Sequence, residues 1–331
     1  MAEDKAQGWG KASAAHARKA TATPAPGAQV IGVVGLGHMG TAFALNLIAD
    51  GRRVLAYDRN PARVEALEKA GAEPVSSPSG FSPCDVVLTS LPDDVALKAV
   101  TLDELIGALK PGAVHLSMST VSPGLSRFLA AEHGKHSQFY VAAPILGNPD
   151  LAKGRKLFVV AAGEDVAMDE VRPLLERLGQ RLFVVGKDPG LASLLKLGGN
   201  VLTATTLQSM AEVLALLMKG GINERLAFDV LTNSLFDSKV HRAYGGKIVD
   251  KRYRPAGMVV PLAVKDLRLA LAEAEHSAAP MPLASLVHDR LVALIAGGAA
   301  ELDWSALGLL QARDAGLAPS LDAPVATSQP A

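Results

Sequence analysis

Three glycines at a fixed spacing are the first residues of this 331-residue chain whose types point to a particular chemistry. Gly35, Gly37 and Gly40 lie between an apolar run at residues 30–34 and a helical pattern. There the first glycine permits a tight turn, the second lets a pyrophosphate approach the backbone, and the third lets helix and strand pack closely. The helix N-terminus adds free N–H groups for the phosphates. The predicted dinucleotide-binding turn comprises Gly35, Leu36, Gly37, His38, Met39 and Gly40.

An acid and a base follow the second predicted strand, where they could select between the two nicotinamide dinucleotides. Asp58 would accept hydrogen bonds from the adenosine ribose and repel a 2′-phosphate, which favours NAD. Its neighbour Arg59 could grip that same phosphate, which favours NADP. The two signals conflict, so the sequence predicts NAD or NADP as cofactor. Because of Asp58, NAD is slightly favoured.

These residues need a sheet to hold them, and the first half of the chain carries the pattern of one. Short apolar runs alternate with helical stretches at residues 39–50, 61–70 and 165–178. Near-continuous apolar strands separated by helices are typical of a largely parallel sheet covered on both faces. We therefore predict an α/β Rossmann domain, doubly wound and mainly parallel, over residues 29–188. Its strands are predicted at residues 30–34, 54–57, 86–91, 114–118, 139–143, 157–161 and 182–185.

Beyond residue 187 the pattern is helical throughout. The stretch 192–219 is apolar at almost every turn and ends at Gly220, as a helix C-cap would. A helix that is apolar all round is buried centrally or at a subunit interface. The sequence therefore predicts an all-α C-terminal domain over residues 189–316 with one long central helix. Further helices are predicted at residues 224–231, 264–275 and 282–296, a disordered tail at 1–28 and a loose tail at 317–331.

Composition narrows the classes of function. Lys plus Arg equals Asp plus Glu at 33 each, so no basic excess indicates a nucleic-acid partner. The one cysteine, Cys84, excludes an internal disulfide framework and fits a reducing compartment. No uncharged apolar stretch has the roughly 18–20 residues of a membrane span, and no His/Cys/Asp cluster has metal-ligand spacing. We expect a cytoplasmic, metal-free homodimer or homotetramer that acts on a small molecule and binds neither nucleic acid nor membrane.

Five segments together resemble the β-hydroxyacid dehydrogenase family in order and spacing. That family includes 3-hydroxyisobutyrate dehydrogenases, tartronate-semialdehyde reductases and glyoxylate/succinic-semialdehyde reductases. The resemblance implies hydride transfer between a nicotinamide and a small carbonyl or hydroxy compound of the 3-hydroxyacid or semialdehyde type. The segments are residues 35–40, 89–92, 117–120, 190–200 and 265–267.

Each segment beyond the glycine turn receives a role from this resemblance. It implies that Leu91 and Pro92 border the cofactor and that Thr120 lies near the nicotinamide. It also implies that Lys265 closes over the cofactor, with Asp266 beside the substrate. A solvated Lys-Asp pair is the alternative interpretation of the last two residues.

Lys196 is the general acid/base that the resemblance implies, and its surroundings agree. Between Leu195 and Leu197, a lysine would be costly to bury unless it faced a polar cleft. Desolvation there would lower its pKa toward working pH, where it can both donate and accept a proton. Asn200 lies one helical turn later on the same face and can hold the substrate oxygen. A lysine that reaches solvent from the helix surface is the alternative.

The loop at residues 142–148 departs from the family pattern. The family's substrate-carboxylate loop reads Asp-Ala-Pro-Val-Ser-Gly-Gly, where this chain reads Ala-Ala-Pro-Ile-Leu-Gly-Asn. Leu146 replaces the serine, and the backbone around Gly147 and the amide of Asn148 are expected to bind the substrate instead. Met258 also stands where the family often has an aromatic residue. The more apolar site indicates a bulkier or less charged carbonyl compound.

Two other interpretations stay open on the sequence alone. Imine reductases share this architecture, but their equivalent helix position commonly carries an acid or a tyrosine where this chain has Lys196. A non-catalytic dinucleotide-binding scaffold would be expected to lose that lysine. Assays on carbonyl and imine substrates separate these possibilities.

Overall fold

The structure, a computed structural model, describes residues 29–317. The tail predicted at 1–28 and all but the first residue of the tail predicted at 317–331 therefore lie outside it. Within the described residues nine strands form one sheet in the order β3-β2-β1-β4-β5-β6-β8-β7, with β9 paired to β8. The strands are β1 Val30–Val34, β2 Arg53–Tyr57, β3 Glu73–Pro74, β4 Val86–Thr89, β5 Val114–Ser117, β6 Phe139–Ala142, β7 Ile145–Leu146, β8 Leu157–Ala162 and β9 Gly179–Gly186.

The first six strands are parallel and follow the doubly wound order, which confirms the predicted α/β Rossmann fold. The strand order reverses between β1 and β4, so a crevice opens beyond their carboxyl ends. The loops that follow these two strands start at Gly35 and Ser90. The last part of the sheet is mixed, because β8 pairs antiparallel with both β6 and β7.

Helices cover both faces of the sheet. Short 3₁₀ turns lie at Pro78–Phe81 and Trp304–Ala306, and π-helical turns lie at Thr101–Leu105 and His241–Gly245. The α-helices are α1 His38–Ala49, α2 Pro61–Glu68, α3 Asp94–Val100, α4 Ile106–Ala108, α5 Pro123–Lys135, α6 Pro149–Lys153, α7 Asp165–Leu178, α8 Pro189–Lys219, α9 Glu224–Thr232, α10 Gly246–Val249, α11 Val260–His276, α12 Pro282–Ala296 and α13 Leu307–Asp314.

The long helix α8 is the predicted central helix, but it begins three residues before the predicted start at Ala192. The Asp188 side chain accepts the Gly190 N–H at 2.9 Å, and Pro189 occupies the first turn. A side-chain cap and a proline in the first turn both favour the start of a helix. Residues 188–190 therefore form the N-terminal end of α8 and are not part of the preceding loop. In the same way α11 begins at Val260, ahead of the predicted residue 264, with Pro261 in its first turn.

Helix α8 joins the two parts of the molecule. It packs against α5, β6 and β8 on the sheet side and against α11, α12 and α13 on the helical side. It is the one described helix that is long and apolar enough to cross a membrane, by length and composition alone. Its packing against these elements of the same chain identifies it as a core helix.

The helical part is tied together by a fully buried carboxylate. Asp303 accepts hydrogen bonds from the backbone N–H of Gly257 at 2.9 Å and of Ser305 at 3.1 Å. The Lys247 ammonium lies 2.8 Å from it and supplies the opposite charge. These contacts fix the segment that leads into α11, which carries two of the predicted site residues.

Candidate active site

The glycine turn leaves no room for side chains at two of its three glycines. Gly35 has φ +89, and a Cβ there would lie 2.4 Å from the carbonyl oxygen of Ser90. A Cβ on Gly40 would lie 1.8 Å from the carbonyl oxygen of Gly35. By contrast, a Cβ on Gly37 would meet no heavy atom within 4 Å. The turn therefore packs closely against β4 and α1 and presents open space at its middle glycine.

That open space fits a dinucleotide pyrophosphate. Gly37 is the N-cap of α1, and no side chain caps the first turn of this helix. Its first N–H groups are therefore available to an anion, and the helix dipole favours negative charge there. His38 is exposed and Met39 is half-buried at this helix start. The residues present fit a dinucleotide.

The Asp58 side chain is hydrogen-bonded to the backbone of this same turn. Its Oδ2 accepts the Leu36 N–H at 2.6 Å, and its Oδ1 accepts the Asn60 N–H at 2.8 Å. The Arg63 guanidinium lies 3.4 Å from Oδ2, a neighbour that sequence reasoning missed. Arg59 is exposed. The acid that follows β2 is thus held rigidly beside the phosphate turn.

The loop after β4 lies against the glycine turn. The Leu91 side chain would be 2.9 Å from a Cβ on Gly35, which places it beside the turn, whereas Pro92 is exposed. The Leu91 N–H donates to Ser119 Oγ at 2.9 Å. The predictions omitted Ser119 as a site residue, although it lies in the Ser-Met-Ser-Thr segment that marked Thr120.

Lys196 lies in a buried polar cluster on α8. Its side chain is 8% exposed, and its Nζ donates to Asn200 Oδ1 at 2.8 Å. The Asn200 Nδ2 donates to Asp266 Oδ2 at 2.5 Å. Since a carboxylate only accepts hydrogen bonds, this contact fixes the Asn200 amide with its oxygen toward the lysine.

Lys265 links that cluster to the sheet. Its Nζ lies 2.8 Å from Asp266 Oδ1 and donates to the backbone oxygen of Thr120 at 2.5 Å. Lys265 and Asp266 are both buried, at 9% and 2% exposure, so they do not form a solvated pair. Contacts therefore run without a break from the glycine turn through Leu91, residues 119–120 and Lys265 to Lys196.

Burial changes the acid–base properties of Lys196. Desolvation is the largest cause that lowers the pKa of its ammonium to about 8; the negative charge of Asp266 opposes this shift and the positive charge of Lys265 adds to it. An amine with a pKa of about 8 exchanges protons readily near neutral pH, which is the property that a general acid/base requires.

The loop at residues 145–148 also reaches α8. A Cβ on Gly199 would lie 2.8 Å from Leu146 Cδ2, so the leucine packs directly on the helix next to Asn200. Gly147 is exposed with φ +157. Asn148 caps the short helix α6, because its Oδ1 accepts the Leu151 N–H at 2.9 Å. In the described residues neither Gly147 nor Asn148 is hydrogen-bonded to the Lys196 cluster.

Two family models together match nearly all of the described chain. Residues 30–186 match the NAD binding domain of 6-phosphogluconate dehydrogenase, and residues 190–310 match the NAD-binding model of NADP-dependent 3-hydroxyisobutyrate dehydrogenase. The oxidoreductase YfjR of Bacillus subtilis is 35% identical over 280 residues, which are 84% of this chain and 98% of that relative. The chain belongs to the β-hydroxyacid dehydrogenase family.

Further members of the β-hydroxyacid dehydrogenase family are similar over the same length. Glyoxylate/succinic semialdehyde reductase 1 of Arabidopsis thaliana is 29% identical over 286 residues, covering 84% of this chain and 96% of that enzyme. The crystal structure of a 3-hydroxyisobutyrate dehydrogenase (ygbJ) from Salmonella typhimurium matches with TM-score 0.78 and 25% identity, covering 85% and 99% of the two chains. Like the family it belongs to, this chain is an NAD(P)-dependent oxidoreductase.

Proposed function

We propose that this member of the family moves a hydride between a nicotinamide and a small carbonyl or hydroxy compound of the 3-hydroxyacid or semialdehyde type, with Lys196 as proton donor and acceptor. The observation that carries the proposal is a buried ammonium, held by Asn200 and connected by contacts to the glycine turn. A hydride transfer to a carbonyl leaves an oxygen that needs a proton, and Lys196 is a group that can supply it.

The residues of the cluster divide this work. A bound nicotinamide dinucleotide supplies or receives the hydride. The hydrogen bonds of the described residues engage one of the three Lys196 N–H groups, which leaves two for a substrate oxygen. The Asn200 oxygen holds the amine in place, and neutral Lys196 takes the proton back when the alcohol is oxidised. Thr120 and Lys265 border the nicotinamide end of the crevice, and Leu91 and Pro92 border the turn.

Asp266 acts as a positioning residue in this proposal. One of its oxygens accepts the Asn200 amide, and the other lies 2.8 Å from the Lys265 ammonium as an ion pair without accepting a hydrogen bond within residues 29–317. It therefore orients the Asn200 oxygen toward Lys196 and holds the positive charge of the lysines in the site. Direct contact between Asp266 and substrate is the alternative, because Asp266 Oδ1 lies beside the Lys265 ammonium without accepting a hydrogen bond from the described residues.

NAD is the proposed cofactor, with NADP as the second choice. The cleft beside Asp58, between β2 and α2, is also lined by Glu65 and Glu68. The Asp58 carboxylate, with a side chain only 9% exposed, is the charge that repels a 2′-phosphate most directly, whereas Glu65, Glu68, Arg59 and Arg63 are all exposed. Titration with NADH and NADPH tests this preference, and a tighter complex with NADPH would reverse it.

We also propose a dinucleotide-binding domain over residues 29–188, a helical substrate domain over 189–316, and a cytoplasmic homodimer or homotetramer. Exposed leucines on the helical part support association, with Leu202 at 71%, Leu216 at 70% and Leu283 at 67% exposure. Burying such side chains between subunits is favourable. Light scattering coupled to gel filtration tests this proposal, and a monomer at micromolar concentration would contradict it.

The experiment that tests the function is a screen of small aldehydes, ketones, 3-hydroxyacids and imines with both cofactors. We expect carbonyl reduction and alcohol oxidation, with no requirement for an added metal. Among residues 29–317 no group of three or more His, Cys, Asp or Glu side chains is arranged to hold a metal ion. Turnover restricted to imines, or cofactor binding without any turnover, would overturn the proposal.

A further inference from the structure

Leu146 forms an apolar wall beside the proposed proton donor. It lies on β7 and packs on Gly199, which is three residues after Lys196 and directly before Asn200 on the helix. The contact is close enough that any side chain at position 199 would force the leucine to move, since a Cβ there would lie 2.8 Å from Leu146 Cδ2. The leucine remains half-buried and half open to solvent.

An aromatic ring extends this wall. Leu146 stands directly opposite Phe158 in the antiparallel pairing of β7 and β8, so the two side chains lie on the same face of the sheet. The Lys239 ammonium lies 4.6 Å from the centre of the Phe158 ring. This cation–π contact places one exposed lysine beside the ring.

The same loop offers a ligand neither a charged nor a hydroxyl side chain, and the side-chain donors it leaves free are the amide N–H groups of Asn148. The Asn148 oxygen caps α6, and α6 itself is a five-residue helix. No side chain between residues 144 and 147 carries a hydrogen-bond donor. A carboxylate placed against this loop would lose water and gain no charged or hydroxyl partner from it, which is costly.

We propose that Leu146 and Phe158 determine the substrate class: the site takes an aldehyde or ketone with an uncharged, apolar substituent and discriminates against one with a carboxylate at the same place. This inference rests on the proposed hydride transfer and proton transfer by Lys196, and it restricts the substrates to carbonyl compounds without a carboxylate at this place. A substituent that contacts the wall gains from burial of apolar surface, and a charged one does not.

The test compares two aldehydes of the same shape. In 4-methylpentanal two methyl groups replace the carboxylate oxygens of succinic semialdehyde. We expect wild-type kcat/KM to favour 4-methylpentanal by at least about ten-fold, the scale of one mismatched polar or apolar group in a pocket. Leu146→Ser should lower this preference by at least about ten-fold, because its hydroxyl donates to the carboxylate.

Two matched variants separate the effect of side-chain volume from the effect of the added hydroxyl. Leu146→Ala removes the same volume without adding a donor, so it should lower kcat/KM for 4-methylpentanal without improving succinic semialdehyde. Leu146→Met keeps an apolar side chain of similar volume and should preserve the preference. An active enzyme that prefers succinic semialdehyde, or whose preference is the same in the serine and alanine variants, overturns this inference alone. An enzyme that reduces neither aldehyde but turns over other carbonyl compounds of the screen also overturns this inference alone, whereas an enzyme that reduces no carbonyl compound overturns the proposed function and the inference with it.

Discussion

Of the buried polar networks among residues 29–317, two invite comparison: one lies inside the sheet layer and the other lies at the junction of α8 and α11. The first joins Thr89, His115, His133 and Gln138, and the second joins Lys196, Asn200, Asp266 and Lys265. Both are buried, and both contain titratable groups. They differ in charge and in whether every hydrogen-bonding group of the side chains has a partner.

The histidine network is closed. Gln138 donates to the carbonyl oxygens of Ile106 and Leu109 at 2.9 and 2.7 Å, so its own oxygen accepts from His133 Nδ1 at 2.8 Å. His133 Nε2 then accepts from His115 Nδ1 at 2.8 Å, and His115 Nε2 accepts from Thr89 at 2.9 Å. Every ring nitrogen has one partner when both rings are neutral. Protonation of His133 would set two N–H donors face to face, whereas protonation of His115 would require the Thr89 hydroxyl to turn and accept.

The lysine network is charged and open. It contains two ammonium groups and one carboxylate, and the Lys196 amine keeps N–H groups that the described hydrogen bonds do not engage. A closed neutral network contributes to stability and specificity of the core. An open charged one keeps a reactive group in a desolvated place, which is the arrangement expected where chemistry occurs. The following predictions test that difference.

The largest expected effect is on turnover, through Lys196→Ala. Removal of the amine takes away the proton donor and acceptor, so kcat should fall by about 100-fold or more, the scale of positioned acid–base catalysis. Dinucleotide binding, measured by fluorescence titration, should survive because the glycine turn is untouched. Lys153→Ala removes a largely exposed lysine and is the matched control. Unchanged turnover in Lys196→Ala would remove the lysine from the chemistry.

Asp266→Asn should have the next largest effect. The substitution keeps the shape but removes the charge that acts to raise the pKa of Lys196. We expect kcat for reduction at pH 7.5 to fall by about ten-fold or more, and the decline of rate with rising pH to begin at a lower pH than in the wild type. Asp229→Asn, at an exposed acid of α9, is the control. A lower rate with an unshifted pH profile would indicate a merely structural role for Asp266.

A substitution in the closed histidine network should lower the stability of the protein and leave kcat nearly unchanged. His133→Leu leaves a donor on His115 and the Gln138 oxygen buried without partners, so the free energy of unfolding should fall by about 2–4 kcal/mol. Urea denaturation measures this loss, and His136→Leu, at an exposed histidine of the same segment, is the control. A ten-fold fall in kcat of the folded variant would show that this network also takes part in the reaction.

The smallest effect is the dependence of stability on pH. Desolvation lowers the pKa of His133 to about 4, and desolvation together with His133 lowers that of His115 well below its usual value. Both histidines regain an ordinary pKa of about 6.5 on unfolding. The stability that the neutral rings contribute is therefore present above about pH 6.5 and declines as pH falls toward 4. Thermal melts should show this decline in the wild type and a weaker one in His133→Leu.

Sequence patterns predicted the sheet and its glycine turn well, because apolar runs and glycine spacing are local signals. The same holds for Lys196 and Asn200, which one helical turn brings together. Three contacts depend on distant pairings that no local pattern encodes: Asp58 with Leu36, Ser119 with Leu91, and Asn200 with Asp266. The histidine network went unpredicted for the same reason, since its members lie on β4, β5, α5 and the loop that follows it.

The pH dependence of kcat/KM in both directions tests the proposed role of Lys196 most directly. The pKa of about 8 for Lys196 predicts that reduction is fastest below pH 8 and falls tenfold per pH unit above it, while oxidation rises through the same pH and then levels off. Reduction and oxidation rates that do not change between pH 6.5 and pH 9.5 would contradict a lysine that gives and takes the proton.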